Sequence, residues 1–511
     1  MDDDSPSTPI KKGTSAQPRA IFNPMSVVGF ALALFGGLGE VFIFLNNLFS
    51  GISLNYQGVV VMLFMLVIII GLVLVGIGYW LEKNRRKSGR EASFSGETLV
   101  RHPILALMFA VGLTAATAIV IGTGSYQVYH MTESVEFCGQ LCHSVMNPEY
   151  TTYHNSSHAR VKCVECHIGE GADWFVRAKI SGMRQIYGVL ANDYPKPIPT
   201  PIHNLRPARE TCEKCHWPGK FIGFKEKILT YYQSDEKNTQ RKLRLLVKIG
   251  GEEETALMKG SGIHFHMLSR KVEYISRSPD RQKIDYIKVT RTDNSVSEYL
   301  DTDNMITDEE IKNSERRIMD CLDCHNRPAH KFRTPMKTVN ASMKQGLIST
   351  DIPQIKLQAV IALDTDYKTT PEAVTGIGNA LRNFYEKNYP GFINNHPKKW
   401  LTTVEEIQAI YKRSIFPEMK AKWKVYPDNI GHRDWPGCFR CHNENTKTKE
   451  GKALYQACND CHLILAQGED ISKSNADFVS GLPFNHPGND EILDEYTDCN
   501  DCHDGGKTVY E

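Results

Sequence analysis

Residues 137–171 read FCGQLCHSVMNPEYTTYHNSSHARVKCVECHIGEG, and this stretch decides what the rest of the chain must be. Twice within it a cysteine pair is followed directly by a histidine: Cys138, Cys142 and His143 in the spacing CxxxCH, then Cys163, Cys166 and His167 in the spacing CxxCH. Two thiols so placed reach the two vinyl groups on one edge of a porphyrin, and the next residue turns its imidazole up to the iron. The extra residue in the first motif can loop out between the cysteines without moving Cys142 away from His143.

Outward from this stretch the pattern repeats. Cys212/Cys215/His216, Cys321/Cys324/His325, Cys438/Cys441/His442, Cys458/Cys461/His462 and Cys499/Cys502/His503 are all CxxCH, so the 14 cysteines form seven pairs, none before residue 138. Were the 18 histidines scattered at random, one after every second cysteine would arise with a probability on the order of 10⁻¹⁰. Disulfides and zinc knuckles do not require that adjacency. Seven covalently bound haem c groups are therefore expected, numbered here as sites 1 to 7 in chain order.

The 511 residues leave room for an anchor and several soluble lobes. Lys+Arg at 60 against Asp+Glu at 59 leaves a formal charge of +1, which offers no electrostatic reason for a nucleic-acid partner. Three apolar stretches, at 26–49, 57–81 and 103–124, approach or exceed the roughly 20 helical residues that cross a bilayer. A cleaved signal would show one short apolar region instead. Lys83, Arg85, Arg86, Lys87, Arg90 and Arg101 crowd the 82–102 loop, which positive-inside bias assigns to the cytoplasm together with residues 1–25. The haem region then emerges on the periplasmic side of a bacterial inner membrane, as part of a multi-pass protein in contact with the lipid bilayer. Glu40 lies inside the first span. It is either a proton-handling group or a protonated, hydrogen-bonded acid on a helix that Gly36, Gly37 and Gly39 let approach closely.

A second axial ligand is wanted for each iron. Apart from the motif histidines and His102 of the basic loop, the candidates are His130, His154, His158, His203, His264, His266, His330, His396, His432 and His486. Iron saturated with two imidazoles passes electrons and has no vacancy for a substrate. His158, His330 and His432 sit on short tethers to motifs and are favoured, with His203, His486 and one of the GIHFH pair, taken as His264. Two apart, His264 and His266 share a face if that segment is a strand, and one of them is then structural. Met146 is either a thioether ligand of the first iron or a core methionine.

The fold class expected is a membrane protein, mainly α with little regular secondary structure. Three N-terminal transmembrane helices lead to a periplasmic multihaem cytochrome region with a small strand-rich insert. Its parts are a three-haem module at 127–220, the insert at 221–310, a fourth haem segment at 311–345, a helical linker at 346–429 and a C-terminal three-haem module at 430–511. Alternation of Leu243, Leu245, Val247 and Ile249 before Gly250-Gly251 marks the insert. Thr403 and Glu406 read as a capping box that starts a linker helix. The last eighty residues hold too little chain for an ordinary apolar core, so porphyrins supply buried apolar surface there.

The 137–171 stretch, following directly on a membrane helix, resembles the NapC/NirT/NrfH family of membrane-anchored multihaem quinol dehydrogenases over about residues 104–220. The resemblance implies oxidation of menaquinol from the membrane quinol pool and electron transfer to periplasmic multihaem c-type cytochromes in anaerobic, extracellular or metal respiration. It implies that Met146 ligates the first iron and that Lys179, in FVRAKISGMRQIYG, lines the quinol pocket. The family's acidic residue six or seven positions after that lysine is replaced by Gln185 and Ile186, and Asp193 is the nearest substitute. The family anchor is a single helix, so the first two spans inherit no role. Two other function classes remain: a non-catalytic relay fed by a separate quinol-oxidising subunit, and a terminal reductase with one open haem.

Overall fold

The computed structural model describes residues 20, 23–50, 57–90, 123–124, 126–127, 129–141, 143–169, 172–202, 206–250, 262–268, 270–454, 457–472, 476–487 and 498–506. The chain divides into two compact units, Met1–Phe137 and Cys138–Glu511.

In the first unit two helices, α1 (Pro24–Ser50) and α2 (Gln57–Lys87), pack along each other. Asn23 caps α1, its Oδ1 accepting the Ser26 N–H at 2.8 Å. Glycines let the two backbones meet: a Cβ on Gly29 would lie 2.5 Å from the Gly71 carbonyl oxygen, and one on Gly36 would strike Ile68 and Phe64. Gly39 lies against the Phe64 ring, whereas Gly37 faces open space. The outer faces stay apolar and uncovered, with Phe30, Leu34, Ile69, Leu72 and Trp80 exposed. Both helices are long and apolar enough to cross a membrane, over Pro24–Val41 and Phe64–Lys87. The expected third span, 103–124, lies almost wholly outside the described residues.

The second unit is built around two antiparallel sheets and one helical cluster. β1 (Phe224–Tyr232) pairs with β2 (Gln240–Lys248), and the third strand of that sheet is β8 (His462–Gly468), with His462 opposite Val247. The other sheet runs β6-β3-β4-β5-β7, from β3 (Lys271–Ile275), β4 (Tyr286–Thr290), β5 (Val296–Asp301), β6 (Arg317–Ile318) and β7 (Thr446–Lys447). Strands do run through 221–310, but neither sheet closes within it: each takes an edge strand from the C-terminal region. The buried Leu463, Ile464, Leu465 and Ala466 explain why β8 joins, because a short apolar run gains most by completing a sheet.

Helices Pro335–Lys344, Ile355–Asp364, Thr370–Asn388 and Pro397–Ser414 gather the largest core, centred on Val339, Ile355, Ile377, Leu381, Tyr385 and Ile407. The last of these does not begin at Thr403. Pro397, pre-set for the first turn, opens it six residues earlier, and Thr403 lies buried mid-helix while Glu406 binds Arg413 and Ser342. The C-terminal motif docks on this cluster, with Met336 N–H donating to Gly505 O at 3.1 Å. Gly505 has φ +80°, and a Cβ there would strike the Thr334 side chain, so only glycine fits.

Candidate haem centres

Each described CxxCH is one turn of helix. His216, His325, His442 and His503 donate their backbone N–H to the carbonyl of their first cysteine at 2.8, 2.8, 3.1 and 2.9 Å, which swings the imidazole to the same side as both sulfurs. In CLDC and the two CNDC motifs the third residue closes the turn: Asp323, Asp460 and Asp501 accept the N–H of Asp320, Ala457 and Asp498. None of the described cysteines forms a disulfide. At the first motif His143 opens the helix His143–His154 instead of ending a turn, and Met146 follows it by three residues, partly buried. Cys142 lies outside the described residues, and the His143 side chain is likewise not described.

The sulfurs of Cys215 and Cys502 lie at the protein surface, where a covalently attached ring can reach them. The reason is local. In each of these turns the first cysteine, Cys212 or Cys499, is half-buried against the protein, and the second projects outward three residues on. Cys166 and Cys324 are exposed in the same way. A sulfur sealed inside a packed core could not reach a porphyrin vinyl group, so an outward thiol suits thioether formation along the open edge of the ring. The corresponding Cys441 and Cys461 are half-buried.

Six motif histidines each face a second histidine. Ring centroids are 6.2 Å apart for His167 and His330, 6.1 Å for His216 and His158, 6.4 Å for His325 and His264. They are 5.7 Å apart for His442 and His266, 6.2 Å for His462 and His432, 6.0 Å for His503 and His486. These rings are too far apart to touch. Two metal–imidazole bonds of about 2 Å, with half a ring beyond each nitrogen, make up roughly that span. The pairs therefore fit an iron porphyrin between them.

Protonation agrees with this. His158, His264, His266, His330 and His442 place Nδ1 3.2, 2.7, 2.9, 3.0 and 3.1 Å from the carbonyls of Pro328, Ile249, Ile263, Glu149 and Leu454. A carbonyl only accepts, so Nδ1 carries the proton and Nε2 keeps its lone pair for metal. Burial pushes His266, His330 and His462 down to about 4 and lowers His167, His325, His432, His442 and His503. The neutral imidazole is the ligating form.

Of the favoured second ligands, the structure brings His158, His264, His330, His432 and His486 opposite motif histidines, while His203 lies outside the described residues. His266 is an addition to that set. His264 directly precedes a single helical turn, Phe265–Leu268, and His266 lies within it, so the two do not share a strand face and each can serve a different motif. The remaining described histidines pack against aromatic rings: His130 edge-on to Tyr126, His154 edge-on to Tyr150 and His396 stacked on Phe392.

Lys179 lies on the helix Ala172–Leu190, whose Ile180, Met183, Tyr187 and Leu190 are exposed; its own side chain is not described. Asp193 is exposed just past that helix, its backbone N–H donating to Gly188 O at 2.8 Å. In the first unit Glu40 has a buried Oε1 with no hydrogen-bond partner among the described residues.

A family model described as "NapC/NirT cytochrome c family, N-terminal region" matches residues 101–198. The cytochrome c-type protein NrfH of Wolinella succinogenes is 33% identical over 78 residues, 15% of this chain and 44% of that protein. The cytochrome c-type protein ImcH of Geobacter sulfurreducens is 39% identical over 492 residues, 94% of this chain and 95% of that one. No solved structure matches. Such identity across nearly the whole of both chains carries the covalent haem c attachment and electron-transfer character with it, and the two apolar helices accord with an inner-membrane anchor. The chain belongs to the NapC/NirT family of membrane multihaem c-type cytochromes and is related to ImcH over 94% of its length.

Proposed function

We propose that this protein oxidises menaquinol at the outer face of the inner membrane and delivers the electrons to periplasmic multihaem cytochromes. The reading includes seven haems, three transmembrane spans, a cytoplasmic 82–102 loop and the module boundaries set out above. Quinol loses two electrons and two protons to become quinone. The haems, when bound, supply one-electron carriers. This chain's own residues do the rest. Cys138 and Cys142 would hold the first haem, with either His143 or Met146 as the protein ligand of its iron. Lys179 hydrogen-bonds the quinol oxygen and takes its proton, and Asp193 passes protons to the periplasm. His330, His158, His264, His432 and His486 would complete the coordination at sites 2, 3, 4, 6 and 7.

The observation that carries this reading is the set of six imidazole pairs. A site closed on both sides has no place for a substrate, so substrate chemistry is directed to the first motif, next to the membrane helix in sequence. The same pairs weigh against a terminal reductase working at sites 2 to 7. The test is to mix purified protein in lipid nanodiscs with a menaquinol analogue and follow the haem absorbance. Rapid reduction is expected, and its absence while dithionite still reduces the haems would overturn the reading.

A further inference from the structure

His486 comes from the segment before its own motif, but several of the other facing histidines come from segments next to a different motif. His158 precedes Cys163 of site 2 by five residues yet faces His216 of site 3, and His330 follows His325 of site 4 by five residues yet faces His167 of site 2. Exchange of ligands thus interlocks sites 2, 3 and 4. Further along the sequence, His432 precedes Cys438 of site 5 but faces His462 of site 6. Two such groups need a join, and residues 263–266 provide it.

His264 faces His325 of site 4 with parallel rings, 1° apart, and is held by Nδ1 on Ile249 O and by Phe221 at 4.6 Å. His266 faces His442 of site 5 with rings at 74°, held by Nδ1 on Ile263 O and by Phe265 at 4.1 Å. Two residues of chain span at most about 7 Å, so the two ring pairs cannot separate. The motifs themselves are joined too: Arg440, inside CFRC, donates to the carbonyl of Asp323, inside CLDC, at 2.6 Å, and Asn429 donates to the same oxygen at 3.0 Å.

Resting on the haem-binding reading above, we propose that His266 is the second ligand of the site 5 iron. With His264 on site 4 it forms a two-residue clamp that makes sites 4 and 5 the crossing between sites 2 to 4 and sites 5 to 7. The clamp has a definite ligand chemistry: two neutral imidazoles, each presenting Nε2, to two separate haem c irons.

The first arm of the test is spectroscopic and independent of quinol. His266→Gly in the full-length holoprotein should convert one haem of the seven-motif chain to high spin in absorption and EPR spectra, and added imidazole should restore low spin. The conversion should vanish in a Cys438→Ala/Cys441→Ala background, where site 5 holds no haem, and persist in a Cys321→Ala/Cys324→Ala background. His266→Met, which keeps a ligand, should instead introduce the charge-transfer band of a methionine-bound ferric haem and raise one midpoint potential. A wholly low-spin His266→Gly protein, or a dependence on site 4 in place of site 5, would overturn the assignment. The second arm is kinetic. With site 4 emptied, a menaquinol analogue should rapidly reduce only sites 1 to 3 of the remaining six, whereas emptying site 7 through Cys499→Ala/Cys502→Ala should leave all six reducible. Full rapid reduction without site 4 would overturn the crossing. If wild type itself were not reduced by quinol, the enzymatic reading would fall, and dithionite-reduced and oxidised spectra would still decide the clamp.

Discussion

The guanidinium of Arg440 leaves the fifth haem motif and lands on the backbone of the fourth, Nη2 donating to Asp323 O at 2.6 Å while Nη1 donates to Arg281 O at 2.9 Å. Asp323 is itself buried, its carboxylate accepting from Tyr274 Oη at 2.6 Å, Arg317 Nε at 2.8 Å and its own turn's Asp320 N–H. One residue therefore shapes a motif turn, anchors the five-stranded sheet to it and receives the neighbouring motif.

Arg440→Ala should loosen this junction by about 1 to 3 kcal/mol, the range for charged hydrogen bonds to buried carbonyls. Hydrogen exchange should show the loss at residues 321–325 and 438–442, with the helical cluster around Tyr385 unchanged. Arg440→Lys should recover part of it, having one ammonium where two carbonyls need donors.

Ring geometry makes a magnetic prediction. Near-parallel imidazoles at His264/His325 (1°) and His432/His462 (13°) should give rhombic low-spin EPR signals, whereas His266/His442 (74°) and His158/His216 (61°) should give strongly anisotropic ones with large gmax. Emptying site 5 should remove one anisotropic species and leave the rhombic ones. Loss of a rhombic species instead would contradict the ring geometry.

Lys356 is buried in the helical cluster, its Nζ 3.2 Å from Met336 O, facing Arg433 and Asp434. Burial first, then Arg433, bring it down to about 7, with Asp434 pulling the other way. Its ordinary value is 10.5, so between about 7 and 10.5 the unfolded chain holds a proton that the folded chain has lost. This group's contribution to stability therefore rises with pH across that window and is flat below it. Lys356→Met should flatten the rise and add roughly 1 to 3 kcal/mol at neutral pH, read from thermal unfolding at several pH values.

Lys179→Ala should slow haem reduction by a menaquinol analogue about 10²-fold, the scale of a lost general base, with the dithionite-reduced spectrum unchanged. Asp193→Asn should do much less, because an exposed carboxylate is readily replaced by water. An unchanged quinol rate in Lys179→Ala would take Lys179 out of the quinol pocket, whereas a wild-type protein that quinol does not reduce would leave this chain a relay.

What could be read in advance divides along chain distance. The motif turns were legible because two thiols and an imidazole for one porphyrin must lie within one helical turn, and the α1/α2 contact because Gly36 and Gly39 sit among large apolar residues. Which cysteine of a motif faces outward was not, because CxxCH is the same string where the second is the more exposed, at Cys215 and Cys502, as where the first is, at Cys438 and Cys458. Nor was the pairing of His330 with His167, since it depends on where about 160 intervening residues fold. His266 was missed because spacing of two implied a strand; one helical turn points its ring elsewhere. The sheet reading stopped short for a similar reason. β2 shows its alternation locally, but nothing in 221–310 announces that His462–Gly468 will lie beside it. Thr403 and Glu406 match a start signal by pattern, and Pro397 outranks them by being earlier.

The placement of β8 has a consequence for how the protein comes to be made. β2 is the middle strand of its sheet, yet its second neighbour is encoded roughly two hundred residues downstream, directly after Cys461. As the polypeptide grows from its N-terminus, the Leu243, Leu245 and Val247 edge stays unpaired until almost the whole chain exists, an open template for association with other nascent chains. A premature stop anywhere before residue 462 would therefore yield a sticky fragment rather than a smaller cytochrome, and the sixth haem-binding turn doubles as the clasp that retires that edge.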